Sequence, residues 1–256
     1  MKNKKPVRRR ARDKQQAREE IDETFLDPYD NPNPLRRTIK VNQLAWTDKQ
    51  KEFFKIALNH DTKVIFVEGP AGSSKSLLSV YCGLQLLNMK AISDIMYLRS
   101  AVESSDSKLG YLPGTAEDKL RFYNMPFLDK LDELLPTTRA EKLEQEGRIS
   151  MFPVNFARGM NWTNKCVILD EAQNSSMKEI TTVLTRLGKG SRCFVLADPM
   201  QTDLRGKLAC GGFESMFNTF SDLESVDMGV HTFNFTEDDI MRSELCKFVI
   251  KKLNAS

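Results

Sequence analysis

The segment Val64-Ile-Phe-Val-Glu68-Gly-Pro-Ala-Gly-Ser-Ser-Lys-Ser76 restricts the fold more than any other part of this chain. An apolar, β-branched run enters a glycine-rich turn, ends in Lys-Ser and passes into the helical spacing Leu77, Val80, Tyr81, Leu84. Strand, loop and helix in that order make a phosphate-cradling P-loop. Successive backbone N–H groups curl around an anion there, and the helix N-terminus adds the positive end of its dipole. Gly69, Pro70, Ala71, Gly72, Ser73, Ser74, Lys75 and Ser76 are the candidate nucleotide-binding residues. Lys75 is spaced to reach the outer phosphates, and the Ser76 hydroxyl to hold Mg²⁺. The competing reading is a tight turn that ends a buried strand. Ser74 departs from the common GxxxxGK[ST] pattern, which has glycine before the lysine.

The 256 residues suffice for one well-cored α/β domain and are marginal for two. Periodicity predicts helices over about 48–59 and 76–88 and a helical region over 116–135 interrupted at Pro126. Further helices are predicted over 176–187 and 237–253. Strands are predicted at 64–68, 94–99, 149–153, 166–169, 192–197 and 232–235. Alternating strands and helices point to a mostly parallel sheet covered on both faces. Ser176-x-x-Glu179 and Thr236-x-x-Asp239 read as capping boxes for the last two helices. Met241, Leu245, Phe248 and Val249 are then expected to face the core.

Charge is uneven along the chain. Residues 1–20 hold nine Lys/Arg against Asp13, Glu19 and Glu20, a net +6 in a chain whose total is +3. The body is therefore slightly acidic, and residues 1–40 read as a flexible basic tail and linker ahead of a domain over 41–256. Such a tail either neutralises nucleic-acid phosphates or only solubilises the chain. No apolar run approaches the roughly 20 residues of a membrane span, so no membrane is expected as a partner. Five dispersed cysteines fit a reducing cytoplasm.

A second motif is Cys166-Val-Ile-Leu-Asp170-Glu171-Ala-Gln173. An apolar strand delivers adjacent carboxylates at its C-terminal end, where open α/β sheets place ligands. Asp170 is the candidate second metal ligand beside Ser76. Glu171 is the candidate base for a water attacking a γ-phosphate, and Gln173 could sense that phosphate. A third is Cys193-Phe-Val-Leu-Ala197-Asp198-Pro-Met-Gln201, whose glutamine could bond the γ-phosphate and move on hydrolysis. The competing reading is a turn begun by Asp198-Pro199, with Gln201 merely exposed. A nucleoside or nucleotide kinase would use an acceptor as nucleophile and has no need of Glu171.

Those motifs occur with Arg99-Ser-Ala-Val-Glu103, Lys108-Leu-Gly-Tyr-Leu-Pro-Gly114, Ala157-Arg-Gly-Met160, Leu184-Thr-Arg-Leu-Gly188 and Asp239-Ile-Met-Arg242. In this order, over roughly residues 45–250, the chain resembles PhoH-like proteins and, through them, the first RecA-like domain of superfamily-one helicases. The resemblance implies a RecA-like P-loop core, binding of ATP with Mg²⁺, and hydrolysis of that ATP. It also implies a ring-shaped homo-oligomer, taken as a hexamer, and a role on RNA or other single-stranded nucleic acid. Family members are tied to phosphate starvation, a label about expression rather than chemistry. In related helicases a glutamine placed like Gln50 reads adenine; here Gln50 is either that residue or an ordinary helix residue. Lys108 and Tyr111 are suited to a phosphate contact and a base stack, or to a surface turn.

An arginine from a second RecA-like domain completes the ATP site in such helicases. With one such domain, this site is expected to be closed by another subunit, and the candidate arginines are Arg242, Arg186 and Arg158. Arg242 could instead pair with Asp238 on its own helix. Arg99 could line the nucleotide or nucleic-acid side. Ser74, Ser100 and Ala197 depart from the family pattern, but none removes a group the chemistry needs. A nucleic-acid-binding module that uses ATP as a structural ligand is the alternative from outside enzymology.

Overall fold

Successive side chains of a strand point to opposite faces of its sheet, and in the central strands here both sets are apolar. The computed structural model describes residues 38–99, 116–136, 139–157, 159–201, 212–241 and 243–254. Its strands are β1 (Val64–Glu68), β2 (Asp94–Arg99), β3 (Ile149–Pro153), β4 (Lys165–Asp170), β5 (Arg192–Ala197) and β6 (Val230–Asn234). They form one sheet in the order β3-β2-β4-β5-β1-β6, and every neighbouring pair is parallel.

On one face Ile65, Val67, Ile95, Tyr97, Ile168, Phe194 and Leu196 share a core with four helices: α1 (Asp48–Ala57), α2 (Lys75–Asn88), α3 (Ala116–Leu134) and α4 (Arg139–Gln145). Phe53, Leu78, Phe127 and Leu143 are among the side chains these helices contribute. On the other face Phe66, Met96, Leu98, Val167, Leu169 and Val195 pack with α5 (Met177–Leu184) and α6 (Gly212–Thr219), through Ile180, Val183 and Phe213. Two short elements complete the order, α7 (Leu223–Asp227) and α8 (Glu244–Asn254). Helices on both faces of a parallel sheet give the α/β fold that the sequence predicts. Because all strands run the same way, the segments after Glu68, Arg99, Asp170 and Ala197 leave the sheet at one edge, where such folds bind ligands.

Strands β1, β2, β3 and β5 fall at their expected positions, while β4 and β6 start one and two residues early. Helix α3 runs through Pro126 without a break. The lost backbone bond there is outweighed by burial of Phe127, Leu131 and Leu134. Helix α5 carries the predicted Ser176–Glu179 capping box but ends at Leu184. The chain then turns so that Trp162 N donates to Arg186 O and Gly188 N to Trp162 O. A Cβ on Gly188 would lie 2.6 Å from Trp162 O, so only glycine allows that approach.

The predicted closing helix is the clearest correction. The Thr236–Asp239 box is present, but it caps a single 3₁₀ turn over Glu237–Asp239. The backbone then extends at Ile240, and Met241 N donates to Gly72 O at 3.0 Å. Helix α8 begins only at Glu244, and Met241, Leu245, Phe248 and Val249 are exposed rather than in the core. Docking of residue 241 on the P-loop competes with, and wins over, continuing the helix. Helices α4, α6 and α7 occupy segments for which no element was predicted. The basic tail expected over residues 1–40 falls almost wholly outside the described residues. Among those residues no helix is long and apolar enough to cross a membrane.

Candidate nucleotide site

The turn between β1 and α2 is built from its own backbone. Ser73 Oγ donates to Pro70 O at 2.8 Å and its amide to the same oxygen at 3.3 Å, so this buried serine closes the loop instead of facing a ligand. A Cβ on Gly69 would sit 2.7 Å from Phe235 Cβ, because Phe235 N is bonded to Glu68 O. Gly69 is therefore needed for the close passage of Phe235, just after β6. Ser74 has φ 65° and ψ 19°, a left-handed conformation that favours glycine, and its side chain makes no capping hydrogen bond. The backbone has adopted the shape of the usual glycine even though the residue is serine. Lys75, Ser76 and Leu77, the first turn of α2, then line a cleft, and the N–H groups of a helix's first turn have no partner within the helix.

That cleft has a volume of about 450 Å³, within the range of small-molecule sites. Ala71, Gly72, Ser74, Lys75, Ser76, Asp170, Glu171 and Gln201 all line it, joined by Gln173, Asp198 and Met241. Three separate segments, the P-loop and the ends of β4 and β5, thus bring the expected residues together.

Lys75 Nζ donates to the carbonyls of Gly69 at 2.6 Å and Pro70 at 3.0 Å. Burial pushes its pKa down, and the carboxylates of Asp198, Asp170 and Glu171 oppose that shift. Ser76 Oγ donates to Asp170 Oδ2 at 2.8 Å. The buried hydroxyl of Tyr97 donates to that same oxygen at 2.8 Å, while Glu171 N donates to Asp170 Oδ1 at 3.0 Å. Both carboxylate oxygens are held. Burial, followed by the charge and hydrogen bond of Asp170, raises the Tyr97 pKa well above its ordinary value, so the phenol remains a donor.

Glu171 is left-handed at φ 56°, a strained conformation of the kind that collects at functional sites. Its Oε2 accepts from Gln173 Nε2 at 2.6 Å, and its Oε1 lies 3.7 Å from an Arg99 guanidinium nitrogen. Gln173 also donates to Gln201 O at 3.3 Å and accepts from Asp198 N at 3.1 Å. One amide side chain therefore ties the end of β4 to the end of β5.

Not every candidate joins this cluster. Gln50 is buried in the capping box of α1, where Thr47 N donates to its Oε1 at 3.0 Å, and it does not line the cleft. Arg186 sits in the turn after α5 and is likewise absent from the cleft wall. Arg242, Arg158, Lys108 and Tyr111 lie outside the described residues. Conversely, Lys130 and Glu133 of α3 line the cleft although nothing in their spacing announced it. Tyr97 was also missed; its signal is a single hydroxyl inside the apolar run Ile95-Met-Tyr-Leu98.

The sequence profile of the PhoH-like protein family matches residues 44–254. The chain belongs to that family. A PhoH-like protein of Synechocystis is 32% identical over 212 residues, which span 83% of this chain and 62% of the relative. A PhoH-like protein of Mycobacterium bovis is 32% identical over 187 residues, covering 73% of this chain and 51% of the relative. The PhoH-like chain thus spans about half to two thirds of the curated relatives it matches. Among solved structures, the Pif1 helicase from Candida albicans aligns at 16% identity with a TM-score of 0.41, over 83% of this chain and 44% of that one.

The donor set suits a hard divalent cation. Ser76 Oγ and Asp170 Oδ2 are oxygen donors already in contact beside the P-loop, and Mg²⁺ favours one or two protein oxygens completed by water and phosphate.

Proposed function

We propose that this PhoH-like chain binds ATP with Mg²⁺ and hydrolyses it to ADP and phosphate. The observation that carries the reading is that Lys75, Ser76, Asp170, Glu171 and Gln201 line one cleft. The P-loop amides and Lys75 bind the β- and γ-phosphates. Ser76 and Asp170 would hold the cation, which supplies charge neutralisation across those phosphates when bound. Glu171 orients a water, takes its proton at a side-chain oxygen, and leaves the water oxygen free to attack γ-phosphorus in line as ADP departs. Gln173 passes any change at Glu171 to the backbone of Gln201 and Asp198. Copies form a ring, taken as a hexamer, in which an arginine of the neighbouring subunit, Arg242 the first candidate, completes the site. Hydrolysis then moves loops that contact RNA or other single-stranded nucleic acid, with the basic residues of the first forty assisting. To read adenine, Gln50 would have to leave the α1 capping box, where its Oε1 accepts from Thr47 N.

A second reading, a nucleic-acid-binding module that keeps ATP as a structural ligand, draws on two features. Ser74 holds a strained position, and Glu171 is already bonded to Gln173 and close to Arg99. Phosphate release by the full chain, with and without RNA or single-stranded DNA, separates the two. Release that nucleic acid stimulates supports the ATPase; bound ATP with no release supports the module.

A further inference from the structure

Among the described residues, two apolar faces are uncovered. Leu245, Phe248 and Val249 share one face of α8 at i, i+3 and i+4, and Leu245 and Phe248 are 72% and 58% exposed. Leu223, the first residue of α7, and Val226 share one face at i and i+3 and are 83% and 43% exposed, and Met228 just past the helix is 61% exposed. Contiguous exposed apolar groups of this kind mark interaction surfaces, unlike the single exposed leucines of any protein. Both faces are open in the same molecule, so neither covers the other within one chain.

Their charges are opposite. Helix α8 carries Lys247, Lys251 and Lys252 against Glu244 alone, and Lys247 already pairs with Glu244 at 3.1 Å. Lys252 Nζ lies 5.8 Å over the Phe248 ring, which puts positive charge at the rim of the apolar face. The α7 segment carries Asp222, Glu224 and Asp227 with no Lys or Arg from Ser221 to Gly229. Apolar centres with opposite rims are complementary to each other and not to themselves.

We propose that α8 of one copy docks on α7 of the next, a head-to-tail contact that propagates into a closed ring or an open chain. The proposal rests on the reading that copies of this chain assemble, and it assigns the two surfaces that join them. It also links assembly to the nucleotide site. Helix α8 starts three residues after Met241, whose amide donates to Gly72 O in the P-loop. A neighbour gripping α8 therefore bears on the loop that holds the phosphates.

The test is native mass measurement on the full chain. Leu223→Asp and Phe248→Asp each leave one face intact, so each alone is monomeric while the wild type is oligomeric. An equimolar mixture of the two variants retains a single good contact and forms a dimer and nothing larger. Lys252→Glu weakens assembly about tenfold, and Glu224→Lys in the same chain restores it. Thermal melts matching wild type show that the exposed substitutions leave the fold intact. The proposal is overturned if either Asp variant keeps the wild-type mass, or if the mixture stays monomeric. Loss of assembly on deleting residues 1–37, with Leu223→Asp without effect, would make the basic N-terminal segment the occupant instead. Those results leave an assembling ATPase standing, whereas a strictly monomeric wild type removes the ring as well.

Discussion

Tyr97 and Ser76, from different elements, both donate to Asp170 Oδ2 at 2.8 Å. Tyr97 is buried beneath the cleft, so it acts on the cleft only through Asp170 and is a positioning residue. Tyr97→Phe keeps the ring, which stacks on Phe127 at 4.6 Å, and removes one hydrogen bond. The stability loss is about 1 kcal/mol. Nucleotide affinity in EDTA should stay at the wild-type value, while the Mg²⁺ midpoint for tight binding rises several-fold. An equal loss with and without Mg²⁺ would mean that Tyr97 only supports the core.

Ser74 is strained, and glycine relieves it. The left-handed region costs a non-glycine residue about 1–2 kcal/mol, and glycine gives back about 0.5–1 kcal/mol in chain entropy. Ser74→Gly should therefore raise the melting temperature by about 2 °C and tighten nucleotide binding. A lower melting temperature would show that the serine side chain holds the loop.

Glu68 supplies a pH dependence. Burial, then the charge of Glu214, raises its pKa above the ordinary 4.5. Between 4.5 and the folded value the native state binds more protons than the unfolded one. This group's contribution is thus present at low pH and lost as pH rises through the folded pKa. Glu68→Gln should stabilise the protein at pH 7 and leave it unchanged near pH 4. Melting curves at the two pH values decide; an equal gain at both would point to packing instead.

Lys165 and Asp94 form a fully buried ion pair at 3.1 Å, at the opposite end of the sheet from the cleft. Removing one partner strands a charge, so Lys165→Met should cost about 3–5 kcal/mol in urea unfolding. Combining it with Asp94→Leu should recover much of that loss. A double variant as unstable as the sum of the singles would show that the two groups act independently.

The parallel sheet was readable because β1, β4 and β5 are continuous apolar runs ending in loop-forming or acidic residues, a pattern buried strands require on both faces. The placement of the P-loop and of the Asp170-Glu171 pair was readable for the same reason, since both sit at strand ends that the pattern locates. Tertiary choices were not. Pro126 stays inside a helix because Phe127 and Leu131 are buried beside it. The Thr236 box looks like the start of a helix, yet Met241 leaves helical geometry to bond the P-loop. Local spacing also could not show that Tyr97 lies under Asp170, or that Lys130 and Glu133 reach the cleft, because those neighbours are distant in the chain.

In the proposed reaction Glu171 is the base that activates water. Its most direct test compares γ-phosphate release and retained ATP for wild type and Glu171→Gln, the least disruptive change that removes proton acceptance. Turnover should fall about 10²–10⁴-fold, and ATP affinity should remain near wild type, so that the variant is isolated with intact ATP bound. Hydrolysis by Glu171→Gln at the wild-type rate, or no release by the wild type under any condition, would contradict it.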